Sequence, residues 1–320
     1  MGNTIKESQG LMLRKNWLLT TGLVVLILSM VVLTKFLDKS HSLTEVYIFG
    51  DSLSDTGMVF RATGGIYPPN PTYFHGRYSN GRVWIEYLSE RLHLSTKQIN
   101  NFAYGGATTG SIGNSYVPSL LQQVQSFTQR HQKTNSDALY VFWAGANDYL
   151  QGVSSANIPV KNIMSAINLL TDIGAQKFLV ANLPDLGQLP AMKTATNSMS
   201  LNALTQAHNR SLRRSLKVLT QQDSHLKIAT LDANSLYRDA MPAAGYAYAN
   251  PAAFGFTNVS SSCLSGSTIC GNPDQFLFWD GIHPTTAAHQ IIGKTAFSTI
   301  QEAGIIHSGS ILVPETTSVK

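Results

Sequence analysis

The sequence predicts an α/β protein whose mainly parallel sheet is covered by helices on both faces. The main observation is that short apolar runs alternate with amphipathic stretches from residue 45 to residue 303. The composition agrees, because 43% hydrophobic and 13% charged residues in a chain of 320 suit a globular protein with a substantial core. No internal repeat or linker interrupts this region, so we expect one domain over residues 44–312.

The predicted strands are short apolar runs that end at a glycine or a polar turn. The first covers residues 46–49 and ends at Gly50. The others lie at residues 99–103, 138–143, 178–183 and 226–231.

The predicted helices have apolar residues at three- and four-residue spacing. They lie at residues 83–92, 117–127, 160–173, 201–219 and 285–303. We expect Pro118 in the first turn of the second helix and Gly174 at the end of the third.

Residues 17–33 form an apolar run that directly follows Arg14 and Lys15. Basic residues before an apolar N-terminal run are typical of export, and the length lies between that of a signal peptide and that of a spanning helix. The alternative is a buried core helix. We expect residues 1–43 to be an export signal or inner-membrane anchor plus linker, starting at Met1 or Met12, and residues 313–320 to be a tail. The protein is then exported, either secreted or periplasmic.

The formal net charge of +5 is concentrated near the N-terminus. Residues 1–41 contain five basic and two acidic residues, a net charge of +3, so the remainder carries only +2. No basic block occurs in that remainder, and we therefore expect no nucleic-acid partner.

Cys263 and Cys270 are the two cysteines of the chain, and Gly and Ser residues lie between them. In an exported protein this pair predicts a disulfide bond. The sequence around the two cysteines contains no further Cys or His at the spacing of a zinc site. We therefore expect no metal and no cofactor. The enclosed polar loop, residues 263–270, is predicted to be a tip that a protease can reach.

Three motifs with candidate chemistry each follow a predicted strand. Ser52 lies just after Gly50, at the kind of strand end where α/β sheets place their sites. A serine nucleophile needs a base, an orienting group for that base and donors for the oxyanion. The backbone N–H of Gly106 and the side chain of Asn147 are candidate donors. Each motif taken alone is equally compatible with an ordinary turn.

The fourth motif contains Asp280 and His283 directly before a predicted helix. One local turn can bring the carboxylate to the imidazole Nδ1–H, which leaves Nε2 free to act as a base. The alternative is a surface histidine beside an acid. We expect His208 and His289 to serve packing or to lie at the surface. His75, in a loop rich in Gly and Tyr, is only a minor candidate for the cleft lining.

Together the four motifs resemble the SGNH, or GDSL-type, serine esterases and lipases over essentially the whole exported part. The matching segments are Phe49-Gly-Asp-Ser-Leu-Ser-Asp55, Asn101-Phe-Ala-Tyr-Gly-Gly106, Gly145-Ala-Asn-Asp148 and Asp280-Gly-Ile-His-Pro284. Residues 76–84 and 182–187 are similar to the branch that includes bacterial lysophospholipases and lipid acyltransferases.

This resemblance implies a single-domain three-layer α/β/α fold, the flavodoxin-like arrangement of SGNH hydrolases. It implies that Ser52, His283 and Asp280 are catalytic, and that Ser52, Gly106 and Asn147 form the oxyanion hole. Three further acids are assigned to hydrogen bonds that hold the loops, namely Asp51, Asp55 and Asp148.

The resemblance and the export pattern favour fatty-acyl esters of phospholipids, above all lysophospholipids, as substrates for hydrolysis or acyl transfer. The membrane surface is then a partner, through the substrate or through the N-terminal anchor. Tyr67, Tyr73 and Phe74 are candidates for an acyl-chain wall, and a surface loop packed on the core is the alternative. A carbohydrate O-acetyl esterase is the rival enzyme. An envelope-anchored binding module with a vestigial site is the rival of another class.

Overall fold

Five parallel strands form the central sheet. They are β1 (Glu45–Gly50), β2 (Ile99–Asn101), β3 (Ala138–Trp143), β4 (Lys177–Ala181) and β5 (Lys227–Leu231). The order across the sheet is β2-β1-β3-β4-β5. This is the flavodoxin-like order, in which the chain reverses direction across the sheet between β1 and β3 and ligands bind at the carboxyl ends of those strands.

The computed structural model describes residues 43–111, 116–241 and 250–306, together with the single positions Leu26 and Ser29. Leu43–Ile305 form one compact unit. The predicted leader run at 17–33, except for Leu26 and Ser29, and the predicted tail at 313–320 lie outside the described residues. Within the described ranges, no helix has the length and apolarity needed to cross a membrane.

Helices cover both faces of the sheet. They are α1 (Met58–Ala62), α2 (Trp84–Arg91), α3 (Leu120–Arg130), α4 (Ala146–Leu150), α5 (Asn157–Asp172), α6 (Ser198–Gln222), α7 (Ala233–Ala240) and α8 (Thr286–Glu302). Helix α3 packs on α5 and α5 on α6, whereas α2 packs on α8. The predicted three-layer α/β/α architecture is therefore confirmed.

Side chains alternate between the two faces of the sheet. Phe49 and Phe142 belong to the core under α3, α5 and α6. Ile48 and Trp143, their neighbours in sequence, are also fully buried, and the Trp143 ring contacts Trp84 of α2 at 5.4 Å between centroids. All six residues of β3 are buried, which explains its uninterrupted apolar sequence.

The predicted strands and longer helices are present, with ends shifted by a few residues. One predicted start was wrong, because α3 begins at Leu120 and not at Val117. Ser119 is the N-cap, since its hydroxyl accepts the Gln122 N–H at 3.3 Å. Pro118 therefore precedes the helix and does not lie in its first turn.

The region before α8 contains small strands that the sequence did not predict. They are β6 (Asn258–Ser262), β7 (Leu264–Ser265), β8 (Thr268–Ile269) and β9 (Phe276–Phe278). Strands β7 and β8 form an antiparallel hairpin, and a disulfide between Cys263 and Cys270 closes it. The predicted disulfide is confirmed, and residues 265–269 are exposed.

Candidate active site

Ser52 lies in the tight turn that follows β1. Strand β1 pairs with β3 so that Gly50 faces Trp143, and a side chain at position 50 would collide with the Trp143 carbonyl oxygen. The turn is closed by backbone N–H groups of Ser54 and Asp55, which donate to the Asp51 carbonyl at 3.1 and 3.0 Å. Among the described residues, no acceptor engages the backbone N–H of Ser52.

Buried carboxylates hold the loops around Ser52, as the sequence predicts. Asp55 accepts the Gly57 N–H at 2.7 Å and the Gly105 N–H at 2.9 Å, so it joins the turn after β1 to the loop after β2. Asp148 accepts the Thr109 N–H at 2.9 Å and its hydroxyl at 2.6 Å.

Asp51, directly before Ser52, is also buried and accepts the Leu53 N–H at 3.0 Å. Burial raises the pKa of Asp51 to about 7, and the Leu53 N–H and His283 only partly oppose this shift. A buried carboxyl with a pKa close to neutrality thus lies beside Ser52.

His283 joins Ser52 to Asp280. Its Nε2 lies 2.9 Å from the Ser52 Oγ, and its Nδ1 lies 2.7 Å from Asp280 Oδ2. An ionised carboxylate can only accept, so Nδ1 carries the proton and Nε2 presents its lone pair to the serine hydroxyl. The structure therefore brings together three side chains from segments 231 residues apart.

The Asp280 carboxylate is held by the turn that contains it. Its Oδ1 accepts the backbone N–H groups of Ile282 at 2.9 Å and His283 at 2.7 Å. Burial by itself would raise the pKa of Asp280, but the charge and hydrogen bond of His283, with these two N–H groups, lower it to about 2. Asp280 is therefore ionised at neutral pH and keeps His283 in one orientation.

Two tyrosines that the sequence did not place at this centre contact Asp280 and His283. The Tyr73 hydroxyl donates to Asp280 Oδ2 at 2.8 Å, and the Tyr78 ring lies 5.2 Å from the His283 ring. Tyr73 and Asp280 are 207 residues apart, and no sequence motif marks their contact. Tyr73 thus contacts the acid of the site, whereas the sequence suggested that it contacts the acyl chain.

The other two residues predicted for an acyl-chain wall lie toward solvent. Tyr67 is 53% exposed and Phe74 is 36% exposed. Neither of them, nor Tyr73, belongs to the described residues that line the cleft beside Ser52. Their role in substrate binding stays a prediction.

The two remaining oxyanion candidates lie after β2 and β3. Gly106 has φ +81° and open space around its Cα, a conformation that favours glycine. No described residue accepts its N–H. Asn147 in α4 donates one Nδ2–H to the Ala107 carbonyl at 2.9 Å, so the second N–H of this amide is free for a ligand.

Ser52, Asn147 and His283 line one cleft. Most of its other lining is apolar and comes from the segments after β1, β3 and β4. The cleft therefore brings the candidate nucleophile, base and oxyanion donor together beside apolar side chains.

The three other histidines considered from the sequence do not line the cleft. His208 and His289 are fully buried, and burial lowers the pKa of His208 to about 4 and that of His289 to about 3. Both are neutral packing residues at pH 7, one of the two roles predicted for them. His75 is exposed and contacts the Phe74 ring. It is not among the described residues that line the cleft.

In the described part of the chain, no group of three or more His, Cys, Asp and Glu side chains could hold a metal ion.

Comparison with known proteins identifies the family. The family described as GDSL-like Lipase/Acylhydrolase matches residues 46–296. The secreted effector protein SseJ of Salmonella typhimurium is 32% identical over 296 residues, covering 86% of this chain and 69% of SseJ. The phosphatidylcholine-sterol acyltransferase of Aeromonas hydrophila is 27% identical over 337 residues, covering 87% of this chain and 96% of that enzyme.

Among solved structures, the native aryl esterase of M. smegmatis is 14% identical with a TM-score of 0.47, covering 81% of this chain and 99% of the esterase. The match to the family spans most of the chain and includes all four motifs. The chain belongs to the GDSL-like lipase/acylhydrolase family and is a carboxylic ester hydrolase.

Proposed function

We propose that this protein hydrolyses fatty-acyl esters of phospholipids, above all lysophospholipids, through an acyl-enzyme on Ser52. The observation that carries the proposal is the continuous hydrogen-bonded series from Asp280 through His283 to the Ser52 hydroxyl. This series opens into a cleft whose other lining is mostly apolar.

In the first step the Ser52 Oγ attacks the ester carbonyl carbon, and its proton moves to His283 Nε2. Asp280 stabilises the imidazolium that forms and keeps Nδ1 protonated. The negative charge on the former carbonyl oxygen is then stabilised by the N–H groups of Ser52 and Gly106 and by the Asn147 amide. The first two N–H groups have no acceptor in the described structure, which supports this role.

In the second step His283 returns the proton to the leaving alcohol, and the acyl group stays on Ser52. A water molecule, deprotonated by the same imidazole, releases the fatty acid and restores the hydroxyl. If an alcohol replaces the water, the product is a new ester and the reaction is acyl transfer.

Two observations support a lipid substrate. Most of the lining of the cleft beside Ser52 is apolar, which suits the hydrocarbon part of a lipid ester. One relative is named for a reaction of phosphatidylcholine with a sterol.

The deciding assay compares the release of fatty acid from lysophosphatidylcholine with the release of acetate from acetylated xylan. We expect the first to be faster by orders of magnitude. Faster acetate release would establish the carbohydrate esterase, and a lack of Ser52 labelling by a fluorophosphonate would indicate a binding module without turnover.

We also propose that the protein is exported, with residues 17–33 as the signal or anchor. Two observations support this proposal. Arg14 and Lys15 directly precede the apolar run, and one relative is named a secreted effector protein. Cell fractionation and N-terminal sequencing would test it, because a cytoplasmic protein with an intact N-terminus would contradict it. Limited proteolysis would test whether the exposed hairpin within 263–270 is cut, as the sequence predicts.

A further inference from the structure

Asn147, the side-chain donor of the proposed oxyanion hole, lies in the short helix α4. A helix of five residues is too short to be stable by itself, so contacts with the rest of the fold set its position. Asn147 donates to the Ala107 carbonyl at 2.9 Å. The next residue, Asp148, accepts the N–H and the hydroxyl of Thr109. These bonds attach α4 to the loop that follows β2.

A second attachment joins α4 to helix α6. The Tyr149 hydroxyl lies 2.8 Å from His208 Nδ1, and the two rings meet edge to face with 5.7 Å between centroids. Both side chains are buried. Because Asp148 and Tyr149 are adjacent in α4, their side chains point about 100° apart around the helix axis. The two attachments therefore act on different sides of α4.

The His208 ring also contacts the start of α4. Gly145 is the N-cap of this helix and has φ +122°, a conformation that favours glycine. A Cβ at this position would lie 2.9 Å from His208 Cε1, so the imidazole fills the space beside the Gly145 Cα. His208 thus contacts α4 at two residues, Gly145 and Tyr149, and Asn147 lies between them in the sequence.

The bond between Tyr149 and His208 can fix the rotation of α4, because a hydrogen bond is directional and apolar packing is not. A helix with its side chains has a radius of about 5–6 Å, so a rotation of about 10° would move the Asn147 amide by about 1 Å. A displacement of that size in a catalytic group can cost about 10²-fold in rate. The orientation of α4 is therefore a quantity on which turnover depends.

We propose that Tyr149 and His208 are positioning residues for the oxyanion donor, because their hydrogen bond holds α4 in the orientation that directs the Asn147 amide at the developing negative charge. This inference rests on the proposed function, in which Asn147 stabilises that charge. Neither Tyr149 nor His208 is among the described residues that line the cleft beside Ser52. Their effect on turnover acts through Asn147.

The test is a double-mutant cycle on the hydrolysis of p-nitrophenyl butyrate. Tyr149→Phe removes one hydroxyl and keeps the ring. We expect kcat and kcat/KM to fall equally, by about tenfold, since the oxyanion exists only in the transition state and the intermediate. The loss should stay below the 10²–10³-fold, approximately, expected for Asn147→Ala. Adding Tyr149→Phe to Asn147→Ala should cause no further loss, because the donor is already absent.

Two further variants separate positioning from a general loss of stability. Tyr140→Phe is the matched control, since it removes a hydroxyl that donates to the Asn135 carbonyl at 3.3 Å, and it should leave kcat unchanged. His208→Leu keeps a side chain of similar volume without the hydrogen bond and should reproduce the loss seen in Tyr149→Phe. It also serves as the test if Tyr149→Phe does not fold, with circular dichroism as the measure of folding.

The outcomes distinguish this inference from the proposed function. A normal loss in Asn147→Ala, followed by the full further loss when Tyr149→Phe is added, would overturn the inference alone. An unchanged kcat in the folded Tyr149→Phe and His208→Leu variants would do the same. If Asn147→Ala leaves kcat unchanged, or the unaltered enzyme hydrolyses no ester, the proposed function fails, and that result appears before any Tyr149 variant is measured.

Discussion

The substitution Tyr73→Phe removes one hydroxyl and leaves the ring in place. That hydroxyl donates to Asp280 Oδ2 at 2.8 Å, the same oxygen that contacts His283 Nδ1. Loss of this bond leaves the carboxylate with one donor fewer in a buried position. The effect on turnover should therefore act through the orientation of Asp280 and His283.

The magnitude follows from the charge of the acceptor. A hydrogen bond to a charged group contributes about 1.5–3 kcal/mol, which corresponds to about 1–2 pKa units. Asp280 stays ionised at neutral pH in this variant, because His283 and the Ile282 and His283 N–H groups, which lower its pKa to about 2, are unchanged. We expect kcat to fall about 10- to 100-fold, with KM for a long-chain ester nearly unchanged.

The assay is steady-state hydrolysis of p-nitrophenyl laurate, together with the NMR resonance of the His283 Nδ1 proton. Tyr67→Phe is the matched control, since Tyr67 lies on the same loop, is 53% exposed and should not affect kcat. A rise in KM with unchanged kcat and an unmoved resonance would refute this reasoning. That result would instead support the acyl-chain wall predicted from the sequence.

Four further outcomes are expected. Ser52→Ala should abolish hydrolysis with an unchanged circular-dichroism spectrum, and retained activity would assign the nucleophile elsewhere. Asp280→Asn should lower kcat by up to about 10⁴ through the wrong imidazole tautomer, whereas a near-native rate would mean that the backbone orients the base. Asn147→Ala should lower kcat by about 10²–10³ while KM changes little, and the opposite pattern would make the amide a ground-state contact. Burial lowers the pKa of His208 from 6.5 to about 4 in the folded protein. Between pH 6.5 and pH 4 the unfolded chain therefore binds a proton at His208 that the folded protein does not bind. The free energy of unfolding should fall by about 3 kcal/mol across this pH range. Asp51, with its raised pKa, has the opposite effect on stability. The test is urea unfolding at pH 6.5 and at pH 4, in which His208→Gln should lose less stability on acidification than the unaltered protein. Equal losses in the two proteins would contradict the role assigned to His208.

Local patterns were sufficient for most of the fold. An uninterrupted apolar run such as that of β3 can satisfy its backbone only inside a sheet covered on both faces, so its position is readable from the residues. The start of α3 was missed because Ser119 and Gln122 form a reciprocal cap, which outweighed the apolar periodicity that begins at Val117. Short helices such as α4 and α7 were missed since two turns carry too little periodicity to detect.

The sequence by itself determined the family and the identities of the candidate nucleophile, base and acid, because each lies in a short contiguous motif with a fixed order. Only the tertiary structure decided which distant side chains complete the site. Tyr73 reaches Asp280 across 207 residues, and the apolar side chains that line the cleft beside Ser52 come from segments that follow different strands. Such contacts depend on how helices and loops pack over the sheet, and packing between segments far apart in the chain leaves no periodic or spacing pattern in the sequence.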